Sequence, residues 1–462
     1  MSYIRSGRDV TSRSNDWAIT RVDVTDDLLQ QLTLPRPDRP LETALHDADR
    51  RALDAASSTL EAAFPSLPIR HSTQATDATT LVVGSAGQHL LDALDVEASL
   101  DCILRRNTFQ PGAQIRLVRD KVTRSLDDIV QLRPGGYPDG HIRVKPAPLA
   151  AALDDGFTVV LDGIDLRDPI STTLAGLFER AFGCVVNINA YLSSSVDPSF
   201  GAHWDDQEVV ILQLIGRKDW TIEQPAGLSM HKVAHGEATS GQVAWHGRVR
   251  AGDAMYIPRG WGHTVNGIGE LTYHYTITIP RVNGLQLLES VLGQLAMSVD
   301  ATAGETVSPV MLGAAPSHED WDGVVANLGL PVDPATVDDL VRCALARVRF
   351  GIPRRSTGSV KATLDAMLAA DLAGTMVRSV NPGGWVVVTG STSEVDADER
   401  VIIGTAGQLA SLPHHLLDTV AGLTDGRVHD AGSAPPGVVH DLLRIGFLEV
   451  VTDPKAWGLT LA

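Results

Sequence analysis

"GAHWDDQEVVILQLIGRKDW", residues 201–220, decides how this chain is read. His203 and Asp205 stand two apart at the head of an apolar run. In a β-strand, residues i and i+2 project from one face, so these two side chains point together while Trp204 and Asp206 point the other way. Two ligands from one strand need a third from elsewhere. Sixty residues on, "GDAMYIPRGWGH" (252–263) offers a Gly-Asp turn, a short strand at 255–257 and a proline bend that delivers His263. In an antiparallel barrel the second segment can lie beside the first. The outcome is a two-histidine, one-carboxylate face with open metal positions, the arrangement of non-haem Fe(II) oxygenases. A lone His-x-Asp means little, because His318-Glu319-Asp320 repeats the spacing at what reads as a helix start. The weight comes from the order: strand, tight hairpin at "IGRKD", strand, Gly-Asp turn, proline-bend histidine.

The surrounding sequence supports a mainly β core. "CVVNINAYLS", "EVVILQLIG", "DWTIEQ", "DAMYIPRG" and "LTYHYTITIP" are short β-branched or apolar runs between turn residues, as expected of a sandwich or barrel. Before them, residues 157–161 read as a strand, Asp162-Gly163 as a turn, and Leu174, Leu177 and Phe178 recur at helical spacing. Four units are expected. Residues 1–75 form a helical N-terminal region, 76–282 the catalytic domain, 283–372 a helical domain that could supply a dimer interface, and 373–462 a winged-helix-like module. "LQLLESVLGQLAMSV" and "VDDLVRCALARVRFGI" supply the amphipathic helices of the third unit.

Composition limits the function classes. The 462 residues carry a net charge of -18, which repels polyanions and suits a basic peptide or protein substrate. The last module has five Lys and Arg against eleven Asp and Glu from residue 371 onward, the wrong balance for a DNA-reading winged helix. Three scattered cysteines suggest neither a disulfide framework nor a Cys-rich zinc site. No apolar run approaches a membrane span and the N-terminus lacks a signal-peptide core, so a cytoplasmic protein without membrane association is the expectation.

The stretches "NINAYL", "HWDDQEVVILQLIGRKDW", "GDAMYIPRGWGH" and "HYTIT" resemble the JmjC-type, cupin-like ribosomal oxygenases. That resemblance covers about 80–282. It implies a double-stranded β-helix (jelly-roll) core and hydroxylation of a protein or peptide side chain, using Fe(II), 2-oxoglutarate and O2 and releasing succinate and CO2. It also implies that the helical and winged-helix-like parts serve as dimerisation and C-terminal modules of a homodimer. By the match, His203, Asp205 and His263 are the iron ligands. Lys218 pairs with the distal carboxylate of 2-oxoglutarate, Asn189 and Thr278 help to hold that co-substrate, and Tyr191 borders the substrate pocket. Independently of the resemblance, a chelated dicarboxylate needs a cation inside the barrel; Lys218 can supply it and Arg217 is the fallback. Thr276 shares the face of Thr278, and only the family match prefers the latter.

Other histidines carry less weight. His231 and His235 sit at i and i+4 in a long insertion (about 225–248) and read as solvated loop, and His414-His415 as surface. His274 can turn inward with Thr276 to support the metal ligands. Two rivals stand beside the oxygenase: a non-catalytic cupin-type binding protein, which predicts a broken ligand set, and a DNA-bound regulator, which the acidic C-terminal charge opposes. Demethylation of N-methyl-lysine is a variant outcome of the same chemistry.

Overall fold

A computed structural model describes residues 19–67, 81–106, 114–126, 129–132, 142–225, 240–280, 334–351, 358–380, 384–388, 400–405 and 407–452, with isolated positions between them. The centre is a pair of antiparallel sheets. Its strands are β1 (Val82–Ser85), β2 (Ile115–Arg119), β3 (Thr158–Leu161), β4 (Asn187–Ser193), β5 (His203–Asp205), β6 (Glu208–Ile215), β7 (Arg217–Glu223), β8 (Val243–Arg250), β9 (Asp253–Ile257), β10 (Gly262–Asn266) and β11 (Thr272–Ile279). The larger sheet runs β1-β9-β6-β11-β4-β3-β2 and ends on the short strand Val122–Arg124. In the smaller sheet the order is His235–Gly236, β5, β10, β7, β8. Every pairing within both sheets is antiparallel.

β6 shows why its central run, Val209 to Leu212, is apolar without alternation. Val210, Leu212 and Leu214 enter the core shared with the helices, whereas Val209 and Ile211 face the inside of the double sheet with Trp220, Ile222, Val249, Met255 and Ile257. A strand covered on both faces has no solvent side to mark with polar residues. β11 follows the same parity: Tyr273, Tyr275, Ile277 and Ile279 pack toward the helices, which leaves His274, Thr276 and Thr278 on the inner side.

"IGRKD" is not a hairpin, contrary to the sequence expectation. β6 and β7 belong to different sheets and do not pair. Gly216 turns the chain from one sheet into the other with φ +67°, and a Cβ there would lie 2.3 Å from the Leu271 carbonyl oxygen. A sheet-switching corner and a tight hairpin demand the same residues, so local sequence cannot separate them.

Helices cover the larger sheet. α1 (Pro40–Ala63) and α2 (Pro169–Phe182) both begin with proline in the first turn. Asp168 caps α2 by accepting from the Ser171 amide, and Gly183, left-handed at φ 63°, ends it. α1 carries an apolar stripe of Leu45, Ala48, Ala52, Ala56, Leu60 and Ala63, all buried. Its two ends enter different cores. Ala56, Leu60 and Ala63 join the barrel core, while Leu45 and Ala48 pack with Trp385, Val401, Ile403 and Leu412 of the C-terminal part.

Of the region 1–75, expected to be helical, the described residues 19–67 add two short strands to the helices. Thr20–Val22 pairs with Gln408–Pro413, and Leu32–Thr33 with Val386–Val388, completing a five-stranded sheet whose other strand is Arg400–Thr405. α3 (Pro334–Phe350) packs Ala346 and Phe350 against Leu32, Val386 and Leu409 of this sheet. Beyond it, α4 (Val360–Leu368), α5 (Leu417–Leu423) and α6 (Pro436–Ile445) surround a three-stranded sheet of Val428–Asp430, Met376–Ser379 and Leu448–Val450. Arg355, in the connection between α3 and α4, pairs with the buried Asp165 and Glu179 and so ties this part to the barrel. The amphipathic helix expected near 286–298, and His318-Glu319-Asp320, lie outside the described residues. Among the described residues, no helix is long and apolar enough to cross a membrane.

Candidate metal centre

His203 and His263 are direct cross-strand partners in β5 and β10, with ring centroids 4.2 Å apart. Asp205 projects from the same face of β5 as His203, and its Oδ2 lies 3.8 Å from His263 Nε2. One ligand atom from each of the three falls within 4.8 Å of the others. Each histidine is oriented from behind: His203 Nδ1 lies 3.0 Å from the Gly201 carbonyl oxygen, and His263 Nδ1 lies 3.4 Å from that of Trp261. Donation from Nδ1 leaves Nε2 with its lone pair toward the shared centre, the tautomer that a metal requires. Burial, reinforced by repulsion from His203, pulls the His263 pKa down to about 4, so its ring is neutral near pH 7.

The centre opens on a cavity of about 380 Å³ lined by these three residues and by Lys218, Trp220, Tyr191, His274, Thr276, Val209, Ile211, Arg116, Thr158 and Phe200, among others. Lys218, on β7, is 6% exposed and makes no hydrogen bond or ion pair with any described residue. Desolvation pulls its pKa down to about 7. An ammonium held in such a place costs stability unless an anion joins it. His274 stacks on Tyr191 at a centroid distance of 5.0 Å and an interplanar angle of 5°. Burial, then the charge of Lys218, holds the His274 ring well below its ordinary pKa, and its Nδ1 has no hydrogen-bond partner among the described residues. Tyr191 is pushed up by burial and by Asp162 and Asp205, so its hydroxyl stays protonated.

Two residues assigned by resemblance fall elsewhere. Asn189 shares the inward face of β4 with Tyr191, but its Oδ1 accepts the Gly163 amide at 3.0 Å and the side chain does not line the cavity. Thr278 lies farther along β11, opposite Asn187 and Val209, and is also outside the lining. Of the two threonines on this face, Thr276 lines the cavity. Parity along the strand left both threonines open, and depth in the barrel chooses between them. Sequence reasoning missed the Arg116–Asp162 pair at the cavity wall, a two-pronged ion pair at 2.8 and 2.9 Å. Its partners are 46 positions apart and carry no local signature. Arg217, the fallback cation, points outward to Glu270 at 3.1 Å. His235 lies in a two-residue strand opposite Asp205, and His231 is outside the described residues.

The donor set fits a metal: two imidazoles and a carboxylate converge at ligand spacing, with one side facing an open cavity. Residues 168–287 match the family model of the JmjC domain. This region is a JmjC domain. The chain is 30% identical over 200 residues to the bifunctional lysine-specific demethylase and histidyl-hydroxylase NO66 of Drosophila willistoni, a match covering 42% of this chain and 24% of that protein. It is 33% identical over 120 residues to ribosomal oxygenase 2 of Mus musculus, covering 25% of this chain and 26% of the mouse protein. The chain thus spans about a quarter of the length of these relatives. Among solved structures, the Escherichia coli ribosomal oxygenase YcfD in complex with cobalt and 2-oxoglutarate aligns over 83% of this chain and 98% of its own, with 13% identity and a TM-score of 0.47.

Proposed function

We propose that the JmjC domain is the catalytic core of an Fe(II)- and 2-oxoglutarate-dependent oxygenase that hydroxylates a side chain of a protein or peptide. The observation that carries this reading is the placing of Lys218, a buried ammonium without a counter-ion, in the same cavity as the His203–Asp205–His263 cluster. A metal centre alone does not call for that charge, whereas a metal-chelating dicarboxylate does. Fe(II), when bound with 2-oxoglutarate and O2, supplies C–H hydroxylation coupled to release of succinate and CO2.

The chain's own residues do the rest. His203, Asp205 and His263 hold the metal from one side and leave the cavity side open for co-substrate and O2. Lys218 neutralises the far carboxylate, and Thr276 replaces Thr278 as the hydroxyl that hydrogen-bonds it. Tyr191, backed by His274, forms a flat wall against which a substrate side chain is positioned. Val209, Ile211 and Trp220 line the same space and limit the entry of water. The net charge of -18 favours a basic substrate segment. A demethylase outcome needs only an N-methyl carbon in the substrate position, and the name of the NO66 relatives joins both activities. A homodimer, and a C-terminal winged-helix-like module without a DNA-reading role, complete the proposal.

The test is succinate formation from 2-oxoglutarate with Fe(II) under air, comparing wild type with His203→Ala. Turnover in the wild type that disappears in the variant is expected. A wild type that binds neither metal nor 2-oxoglutarate would leave the cupin-type binding protein as the better reading.

A further inference from the structure

We infer that Asp206 and Arg259, neither of which faces the metal centre, are positioning residues that set the gap between the ligands Asp205 and His263. This inference rests on the proposed metal site and adds to it a device outside the ligand set.

The ladder between β5 and β10 is short. It pairs His203 with His263 and Trp204 with Gly262, and then stops. Asp205 is one residue past that last pair, so β10 does not fix its backbone; its other strand neighbour, His235, belongs to a strand of only two residues. A ligand at the frayed end of a minimal ladder is free to splay from its partner histidine. Two contacts close this end instead. The Gly260 amide donates to the Asp205 carbonyl oxygen at 2.9 Å, from a turn that Gly260 makes with φ +80°. Beside it, the Arg259 guanidinium grips Asp206, Nε donating to Oδ1 at 2.5 Å and Nη2 reaching the same oxygen.

Both side chains are about three-quarters buried, at 25% and 28% exposure, so water screens the pair less than it would a surface pair. Asp206 immediately follows one ligand, and Arg259 precedes another by four positions. The ion pair therefore joins the turn after β5 to the turn before β10. Its effect is to keep a carboxylate and an imidazole at coordinating distance before any metal arrives, which is preorganisation. The alternating geometry of the strand explains the division of labour: Asp205 faces the centre and Asp206, its neighbour, faces the staple.

Co(II) binding to the full chain reads this directly, by titration calorimetry and by the visible absorption of the bound ion. Asp206→Asn and Arg259→Gln should each weaken Co(II) binding by roughly tenfold, the scale of lost partners around metal ligands. The double variant Asp206→Asn/Arg259→Gln should be no weaker than either single change, because both remove one interaction. Arg259→Lys keeps the charge without the fork and should recover part of the affinity. Metal-free melting temperatures, measured alongside, separate positioning from general damage: a drop in melting temperature with unchanged affinity per folded molecule would overturn the inference. So would additive losses in the double variant, or Co(II) affinities equal to wild type. If the wild type itself fails to bind Co(II), the proposed metal site falls first and the staple has nothing to position.

Discussion

The two sheets of the barrel divide the work unequally. The larger one has long, mostly buried strands: β6 and β11 share seven paired positions, and both pack apolar side chains against the helices. The smaller one holds His203, Asp205, His263 and Lys218, and its β5 is three residues long with two partners on β10. One sheet is scaffold and the other carries unpaired charge. Their difference teaches where stability and chemistry are stored: the metal ligands and the cation sit on the side that gives up the most packing, and the larger sheet behind them holds the geometry and adds Tyr191, His274 and Thr276 to the cavity wall.

The sharpest way to break that comparison is to remove a group from each side. His203→Ala should abolish Co(II) binding while leaving the melting temperature near wild type, since the residue contributes to a centre and not to a core. Ile277→Ala, fully buried on the helix side of β11, should do the reverse. It should cost about 2–5 kcal/mol of unfolding free energy in denaturant titrations, with metal affinity per folded molecule preserved. Equal stability losses at both positions would dissolve the distinction between the sheets.

Lys218→Met sharpens it further. Loss of the cation should weaken 2-oxoglutarate binding by roughly a hundredfold, about 2.7 kcal/mol, as read by calorimetry with Co(II) present. The same change should raise the melting temperature of the anion-free protein, because it deletes an uncompensated buried charge. A variant that bound more weakly and also melted lower would contradict the view of Lys218 as strained for the sake of its ligand.

The pH dependence has a definite sign. The Lys218 pKa is pulled down to about 7 from the ordinary lysine value of 10.5, so the unfolded chain binds more protons at this group between those limits. Its contribution makes the anion-free protein gain stability as pH rises through that window, by at most about 1.4 kcal/mol per unit. Dicarboxylate binding needs the protonated form, so its affinity should fall by up to roughly tenfold per unit above pH 7. Stability and affinity moving in the same direction would exclude Lys218 as the titrating group. The smallest expected effect belongs to Thr276→Val, a loss of about 1 kcal/mol in 2-oxoglutarate affinity, with Thr278→Val silent in the same titration.

Much of the site was legible in the sequence because strand parity is a strict rule. His203 and Asp205 had to share a face, and the proline bend could bring His263 opposite. What parity cannot supply is depth: it left Thr276 and Thr278 equal, the family match preferred Thr278, and it is Thr276 that lines the cavity. Nor can it show competition for a side chain: Asn189 faces inward yet is taken by the Gly163 amide. The corner at Gly216 looked like a hairpin because both need a left-handed glycine between strands. Least legible was the fate of the N-terminus. Thr20–Val22 is too short to carry a periodic signal, and its partner strand is remote in sequence. The helical α1, by contrast, announces itself through 24 residues of continuous pattern.

That remote pairing has a consequence for synthesis. Thr20 meets Ser411 in the finished sheet. A ribosome adding roughly 5–20 residues each second needs on the order of 20–80 s to make the intervening chain. During that interval the first strands, and the half of α1 that belongs with them, have no surface to settle on. The barrel, whose strands between Val82 and Ile279 draw on one another, is complete long before. The segment that begins at Thr20 thus waits through most of that interval for the strand at Gln408–Pro413 that shelters it.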